Sequence, residues 1–185
     1  MEIEDLLLRV AKILDKLKIP YVITGGMAVS VWGRPRSTMD IDIIIKLKPK
    51  NTRMLVKELL NIDKDVYVSE DAIKEALEQK GEFNFIDPNT QLKVDFWIVK
   101  NTFNQQEIQR AVPREFEGYN VQFVSPEDLV LSKLLWHRET YSTKQLDDIK
   151  SILLITKVDM PYIKNWAQKQ DTIEILTTLL NEIKK

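Results

Sequence analysis

The stretch YVITGGMAVSVWGRPRSTMDIDIII, Tyr21 to Ile45, decides how this chain is read. It opens with the β-favouring run Tyr21 to Thr24, breaks at Gly25-Gly26, and resumes with Met27 to Trp32, which suits a short helix. After the loop Gly33-Arg34-Pro35-Arg36-Ser37-Thr38, the run Met39 to Leu47 alternates and then turns mostly apolar, as a strand buried on at least one face does. The order is strand, glycine turn, helix, loop, strand.

Working outward, Leu6, Leu7, Val10, Ala11, Leu14 and Leu17 recur at helical spacing, which predicts an amphipathic helix over Ile3 to Leu17, stopped by Ile19-Pro20. Downstream, Thr52 to Leu60 and Ser69 to Lys80 read as helices, the second with Glu70 and Asp71 placed favourably against its dipole. Val66 to Val68 is a short strand candidate between them. Phe83 to Ile86 and Leu92 to Val99 flank Asp87-Pro88-Asn89-Thr90, a turn that predicts a hairpin. Tyr119 to Val124 is a further strand, and Ser125-Pro126-Glu127-Asp128 marks a helix start: a hydroxyl cap, proline at the first position, then two acids. From there apolar periodicity in Leu129 to Trp136, Leu146 to Ile155 and Ile173 to Ile183, with Met160-Pro161 between, predicts an all-helical C-terminal part ending in ordinary helix-end charge, Glu182-Ile183-Lys184-Lys185. The fold class is therefore α/β in the α+β sense: a small mixed sheet flanked by helices, then a helical subdomain.

Composition narrows the chemistry. Of 185 residues, Lys plus Arg number 27 and Asp plus Glu 28, so a net charge of −1 provides no global field for nucleic acid. With no cysteine there is no disulfide, thiolate metal site or Cys nucleophile, and with His137 the single histidine there is no multi-histidine zinc site. No apolar run approaches the roughly 20 residues that span a bilayer. The acidic start, Met1-Glu2-Ile3-Glu4-Asp5, is unlike a secretory or mitochondrial leader. A cytoplasmic protein without a membrane partner is expected.

Asp40 and Asp42 lie two apart on a predicted strand, so both carboxylates face one side. Such acids among Ile41, Ile43, Ile44 and Ile45 are costly unless cations offset them, and hard oxygen ligands suit Mg²⁺ or Mn²⁺. Asp95, in Lys93-Val94-Asp95-Phe96-Trp97, is a third carboxylate in an apolar strand. Three carboxylates on neighbouring strands match a site for two divalent ions, and Gly25-Gly26 between strand and helix lets phosphate approach backbone N–H groups. Trp97 shares the face of Asp95 and suits either core packing or a nucleobase; His137, beside Trp136 in an apolar helix, reads as a packed residue. Arg34, Arg36, Lys46, Lys48, Lys50 and Arg53 form the densest basic stretch, read as surrounding the acidic site.

The run from Gly25-Gly26-Met27-Ala28-Val29 through Arg36-Ser37-Thr38-Met39-Asp40-Ile41-Asp42 resembles the signature of the DNA polymerase β-like nucleotidyltransferase superfamily, and Val94-Asp95-Phe96 is similar to its last catalytic carboxylate. Arg36 and Thr38, then Ser125-Pro126-Glu127-Asp128-Leu129 with Lys133, then Asp147-Asp148-Ile149, resemble the AbiEii-type branch, which includes toxins of toxin–antitoxin systems. The resemblance implies that Asp40 and Asp42 bind both metal ions, that Asp95 binds the catalytic one, and that Gly25 and Gly26 hold the triphosphate of an NTP. It implies phosphate contact by Lys133, support of the site by Asp148, and a phosphate or acid partner in Arg36. Where many members have Gly-Ser, this chain has Gly25-Gly26, so the phosphate contact of that serine is left to the backbone, with Ser30 or Ser37 as side-chain substitutes. Lys144-Gln145 stands where the toxin-like branch often has Lys-Asp. On this basis residues 1–124 form a catalytic core and 125–185 a subdomain closing the nucleotide cleft. The expected reaction is metal-dependent transfer of a nucleoside monophosphate to a hydroxyl of a tRNA or other RNA, a protein or a small molecule, with an antitoxin as a further partner. The alternative is a non-catalytic nucleotide-binding or antitoxin-like protein of the same fold.

Overall fold

Strand alternation and helical spacing in the sequence reappear as the buried faces of the structure. The computed structural model describes residues 2–183, so Met1 and the terminal Lys184 and Lys185 of the expected charged tail lie outside the described residues. The chain forms two units, one made of the residues up to Met27 with Ser37–Val124, the other of Ala28–Arg36 with the chain from Ser125 onward.

In the first unit, helix α1 (Ile3–Lys16) carries Glu4 and Asp5 in its first turn and buries Leu6, Leu7, Val10, Ala11 and Leu14. Strand β1 (Tyr21–Thr24) runs straight into helix α2 (Gly25–Trp32), which starts two residues before the expected Met27. The reason is Gly25, whose φ of 59° lets the chain turn from strand to helix without a loop. Strand β2 (Asp40–Ile45) buries Ile41, Ile43, Ile44 and Ile45. A 3₁₀ turn at Pro49–Asn51 precedes helix α3 (Thr52–Leu60), and helix α4 (Glu70–Gln79) is capped by Ser69, whose hydroxyl accepts the Ala72 N–H at 3.2 Å. The chain continues through β3 (Glu82–Asp87), β4 (Leu92–Ile98), helix α5 (Thr102–Gln109), β5 (Val112–Phe116) and β6 (Tyr119–Phe123).

The six strands form one mixed sheet in the order β3-β4-β2-β1-β6-β5. β2 is antiparallel to β1 and parallel to β4, while β6 is parallel to β1 and antiparallel to β5. Phe83 and Phe96 stack across the β3–β4 pair with ring centroids 4.8 Å apart, and Phe85, Phe96, Phe123, Ile23, Ile41, Ile43 and Ile45 are fully buried. Each such side chain contributes about 1.5–3 kcal/mol by leaving water. The Tyr119 hydroxyl donates to Asp15 at 2.5 Å, tying β6 to α1 and raising the phenol to about 12.

Two elements of this unit escape the sequence pattern. Residues 100–118 carry no clear period, yet they form α5, started by Asn101, which accepts the Asn104 N–H, and β5, an edge strand that tolerates Pro113. The expected strand at Val66 to Val68 reduces to one bridge between Tyr67 and Ile86, because Ser69 already caps the next helix.

In the second unit, helix α6 (Pro126–Thr140) starts as expected, with the Ser125 hydroxyl accepting the Asp128 N–H at 3.2 Å, and ends at Tyr141 in left-handed backbone. Helices α7 (Thr143–Ile155), α8 (Met160–Lys169) and α9 (Ile173–Ile183) complete it. Met160-Pro161 does not separate helices but opens α8, because Asp159 caps it by accepting the Tyr162 N–H and Pro161 fits the first turn. Buried Asp128 accepts the Tyr162 hydroxyl at 2.6 Å. The loop after α2 is held here: the Thr156 hydroxyl donates to the Trp32 carbonyl at 2.6 Å, and a Cβ on Gly33 would lie 2.3 Å from the Ser151 hydroxyl. The half-buried His137 holds its Nδ1 2.9 Å from the Ser142 carbonyl. Among the described residues no helix is long and apolar enough to cross a membrane.

Candidate active site

Strand register decides which polar side chains meet. Thr24 pairs with Asp42, Asp42 with Asp95, and Asp95 with Asn84, so one polar row crosses β1, β2, β4 and β3 on a single face of the sheet. One step along β2, Asp40 pairs with Lys93. Asp42 and Asp95 are partly buried and Asp40 is exposed. The Thr38 hydroxyl braces the entry to β2 by donating to the Asp40 carbonyl at 3.1 Å. Trp97 lies on the same face two residues beyond Asp95.

The glycine turn abuts this row. A Cβ built on Gly25 would lie 1.8 Å from Asp42 Oδ2, so no other residue fits there without displacing the carboxylate. Its positive φ independently demands glycine. The Asp42 carboxylate thus rests at the N-terminal end of α2, where the helix dipole favours negative charge. Gly26 is buried inside the first turn.

Lys93 supplies the cation for this acidic face. Its ammonium lies 2.8 Å from Asp95 Oδ2. The hydrogen bond it donates to Asp95 raises the Lys93 pKa, burial opposes it, and the charges of Asp95, Asp40 and Asp42 raise it further. The donor set, two carboxylates side by side in register and a third two residues away, has the hard-oxygen chemistry of a divalent cation site. It is not assembled as a cage: among the described residues, no three Asp, Glu, His or Cys side chains already converge on one point. Asp42, Asp95 and Asp40 are the residues that would hold such an ion, with Lys93 yielding its place on Asp95.

The remaining expected site residues divide between the units. In the second unit Asp148 binds two cations. Arg36 donates to it through Nε and Nη2 at 3.2 Å each, and the Lys133 ammonium lies 2.8 Å from its Oδ2 while donating to Gln145 at 2.9 Å. Lys133 and Asp148 are 7% and 6% exposed, so removing Asp148 takes the carboxylate from a buried ammonium at a cost of about 3–5 kcal/mol, whereas removing Lys133 leaves Asp148 paired with Arg36. Ser30 shapes the loop by exchanging hydrogen bonds with the Arg36 backbone at 3.4 Å, and Ser37, in the first unit, is exposed.

One expectation is corrected. Lys46, Lys48, Lys50 and Arg53 do not surround the acids: they follow the C-terminal end of β2, whereas Asp40 and Asp42 lie at its start. The linear cluster misled because a strand separates its ends in space. Lys93, Thr24 and Asn84 are polar members of the site that the motif reading missed. Hairpin register pairs Asn84 with Asp95 once the turn at Asp87 to Thr90 is recognised, and the period of two places Lys93 with Asp95.

A mixed sheet with carboxylates on neighbouring central strands and a glycine turn at their side defines a nucleotidyltransferase fold. Residues 1–183 match a family described as "Nucleotidyltransferase of unknown function (DUF6036)", and the chain belongs to that family. Among solved structures it is similar to an antigenic nucleotidyltransferase-like protein from Paracoccidioides brasiliensis, with 20% identity and a TM-score of 0.64, over 97% of this chain and 87% of that one. It is also similar to the lincosamide antibiotic adenylyltransferase LnuA (16% identity, TM-score 0.55, 84% of this chain and 98% of that one). A third, ANT(2")-Ia in complex with adenylyl-2"-tobramycin, shares 14% identity at a TM-score of 0.56, over 91% of this chain and 97% of that one. At these identities the likeness is one of fold. A search of curated proteins gives no match.

Proposed function

We propose that the chain transfers a nucleoside monophosphate from an NTP to a hydroxyl acceptor. The supporting observation is the row in which Asp42 and Asp95 stand side by side, with Gly25 packed directly against the Asp42 carboxylate. The acceptor oxygen attacks the α-phosphorus, the bond from that phosphorus to the bridging oxygen of the β-phosphate breaks, and pyrophosphate leaves. Asp95, whose carboxylate lies 2.8 Å from the Lys93 ammonium, takes the proton of the hydroxyl. Gly25 and Gly26 let triphosphate oxygens approach the backbone at the start of α2. Asp40 and Asp42 hold the negative side of the site in place on β2. A bound Mg²⁺ or Mn²⁺, two such ions in the two-metal form of the reaction, supplies Lewis-acid neutralisation of the charge that develops on phosphate.

ATP is the first donor to test, because the two antibiotic-modifying neighbours are described by adenylyl transfer. A small-molecule hydroxyl is accordingly the first acceptor class, ahead of tRNA or protein. The AbiEii-type, toxin-like role rests on the motifs at Arg36, Thr38, Lys133 and Asp148; growth arrest on expression, relieved by Asp95→Asn, is its separate test.

The decisive experiment supplies each α-³²P-labelled NTP with Mg²⁺ or Mn²⁺ to the protein and to its Asp95→Asn variant, with small-molecule, RNA and protein acceptors. Label on an acceptor, reduced at least a hundredfold in the variant while circular dichroism stays unchanged, is the expected result. Nucleotide binding without any transfer would instead favour the non-catalytic, antitoxin-like reading.

A further inference from the structure

At the end of the sheet opposite the carboxylates, four lysines border one groove. Lys18, just past α1, and Lys46, Lys48 and Lys50, which follow β2, line a groove of about 420 Å³ with Leu17 and Pro20. All four lysines are exposed, and among the described residues none makes an ion pair. Other lysines of this chain are differently placed: Lys16 pairs with Glu58, Lys74 with Glu70, Lys93 with Asp95 and Lys150 with Glu182.

The adjoining groove, which shares Lys50, shows the contrast. There Arg53 and Lys74 both pair with Glu70, and Glu78 also lines the wall. Two acids there offset most of the charge of Lys50, Arg53 and Lys74. The lysine groove has no acid among its lining residues, and it concentrates positive charge on a chain whose net charge is −1. Like charges gathered without counter-ions are relieved by a polyanion.

We propose that this groove binds the phosphodiester backbone of a nucleic acid. The lysines follow one another from the end of α1 across the end of β2 to the 3₁₀ turn, which suits a chain of phosphates better than a single one. A site for one nucleotide buries and converges its donors, whereas these four are exposed. No aromatic side chain lines the groove, so bases have nothing to stack on and recognition is of the backbone, independent of sequence. The groove is not the donor-nucleotide site, because β2 separates Lys46 from Asp40 by about 20 Å, beyond the reach of one triphosphate. This binding neither requires nor follows from transferase activity.

The test is fluorescence anisotropy of a labelled single-stranded 20-mer of RNA, and separately of DNA, with the full chain and no NTP, between 20 and 200 mM salt. Four phosphate contacts give a slope of log K against log salt of about −3. Lys18→Gln/Lys46→Gln/Lys48→Gln/Lys50→Gln should weaken binding at low salt at least tenfold and bring the slope near zero. A control set, Lys64→Gln/Lys144→Gln/Lys157→Gln/Lys164→Gln, should leave most binding intact, with circular dichroism verifying both folds. RNA and DNA binding alike identify the shared backbone, and a preference for RNA identifies ribose as a further contact. Absence of binding overturns the proposal, as do equal losses in both sets or equally tight binding of a poly-glutamate peptide.

Discussion

Lys93 sits among acids that bind cations, so its ammonium and a metal ion compete for Asp95 Oδ2. The lysine is about one-third exposed, which limits the pair to roughly 1 kcal/mol. Lys93→Met should therefore tighten Mn²⁺ binding several-fold by calorimetry and lower thermal stability in EDTA. Unchanged affinity would show that the ammonium and the ion do not share the carboxylate. The three aspartates and the glycine pair were legible in the sequence because period-two spacing and a strand–glycine–helix order are local signals. What is not local is the meeting of Asp95, Lys93 and Asn84 with Asp40 and Asp42, because the parallel pairing of β2 with β4 is a long-range choice.

The β3–β4 hairpin shows how one turn fixes the register on which that row depends. Buried Asp87 accepts the Thr90 hydroxyl at 2.6 Å and the Asn89 N–H at 3.0 Å. The Thr90 hydrogen bond is the main cause that holds the Asp87 carboxyl below its usual 3.8, with the backbone N–H groups of Asn89 and Thr90 adding to it against burial. A carboxylate depressed in the folded state contributes stability that is complete above its unfolded pKa and is lost as pH falls through the folded one. Asp87→Asn should thus destabilise by about 1.5 kcal/mol at pH 7. The gap from wild type in urea unfolding should close as pH drops below about 3.8. A gap independent of pH would mean that the charge has no part. The hairpin, α1, α3, α4 and the start of α6 follow from capping residues and apolar stripes in the sequence. Helix α5 did not, since only Phe103 and Glu107 of its eight residues are buried and no stripe marks it. Strand β5 did not either, because an exposed edge strand with Pro113, Arg114 and Glu115 lacks the alternation that burial imposes.

At the scale of the molecule, the chain passes between its two units within α2, again at Arg36 to Ser37, and again at Val124 to Ser125. A cut at Val124 consequently strands Ala28–Arg36, whose partners are Thr156 for Trp32, Ser151 for the Arg34 N–H and Asp148 for the Arg36 side chain. The fragment 1–124 should melt at a markedly lower temperature and less cooperatively than the full chain when followed by circular dichroism. An equally sharp transition would show that Ala28–Arg36 draws nothing from those partners.

A sheet of six strands has two free margins, and each is guarded against recruiting a second chain. On the β3 side, the bridge to Tyr67 occupies the Ile86 backbone, donating to it and accepting from it. On the β5 side, Pro113 withholds a donor while Arg114 and Glu115 place charge along the strand. The run of isoleucines in β2 is thereby kept two strands from one margin and three from the other, away from the edges on which amyloid-like stacking can begin.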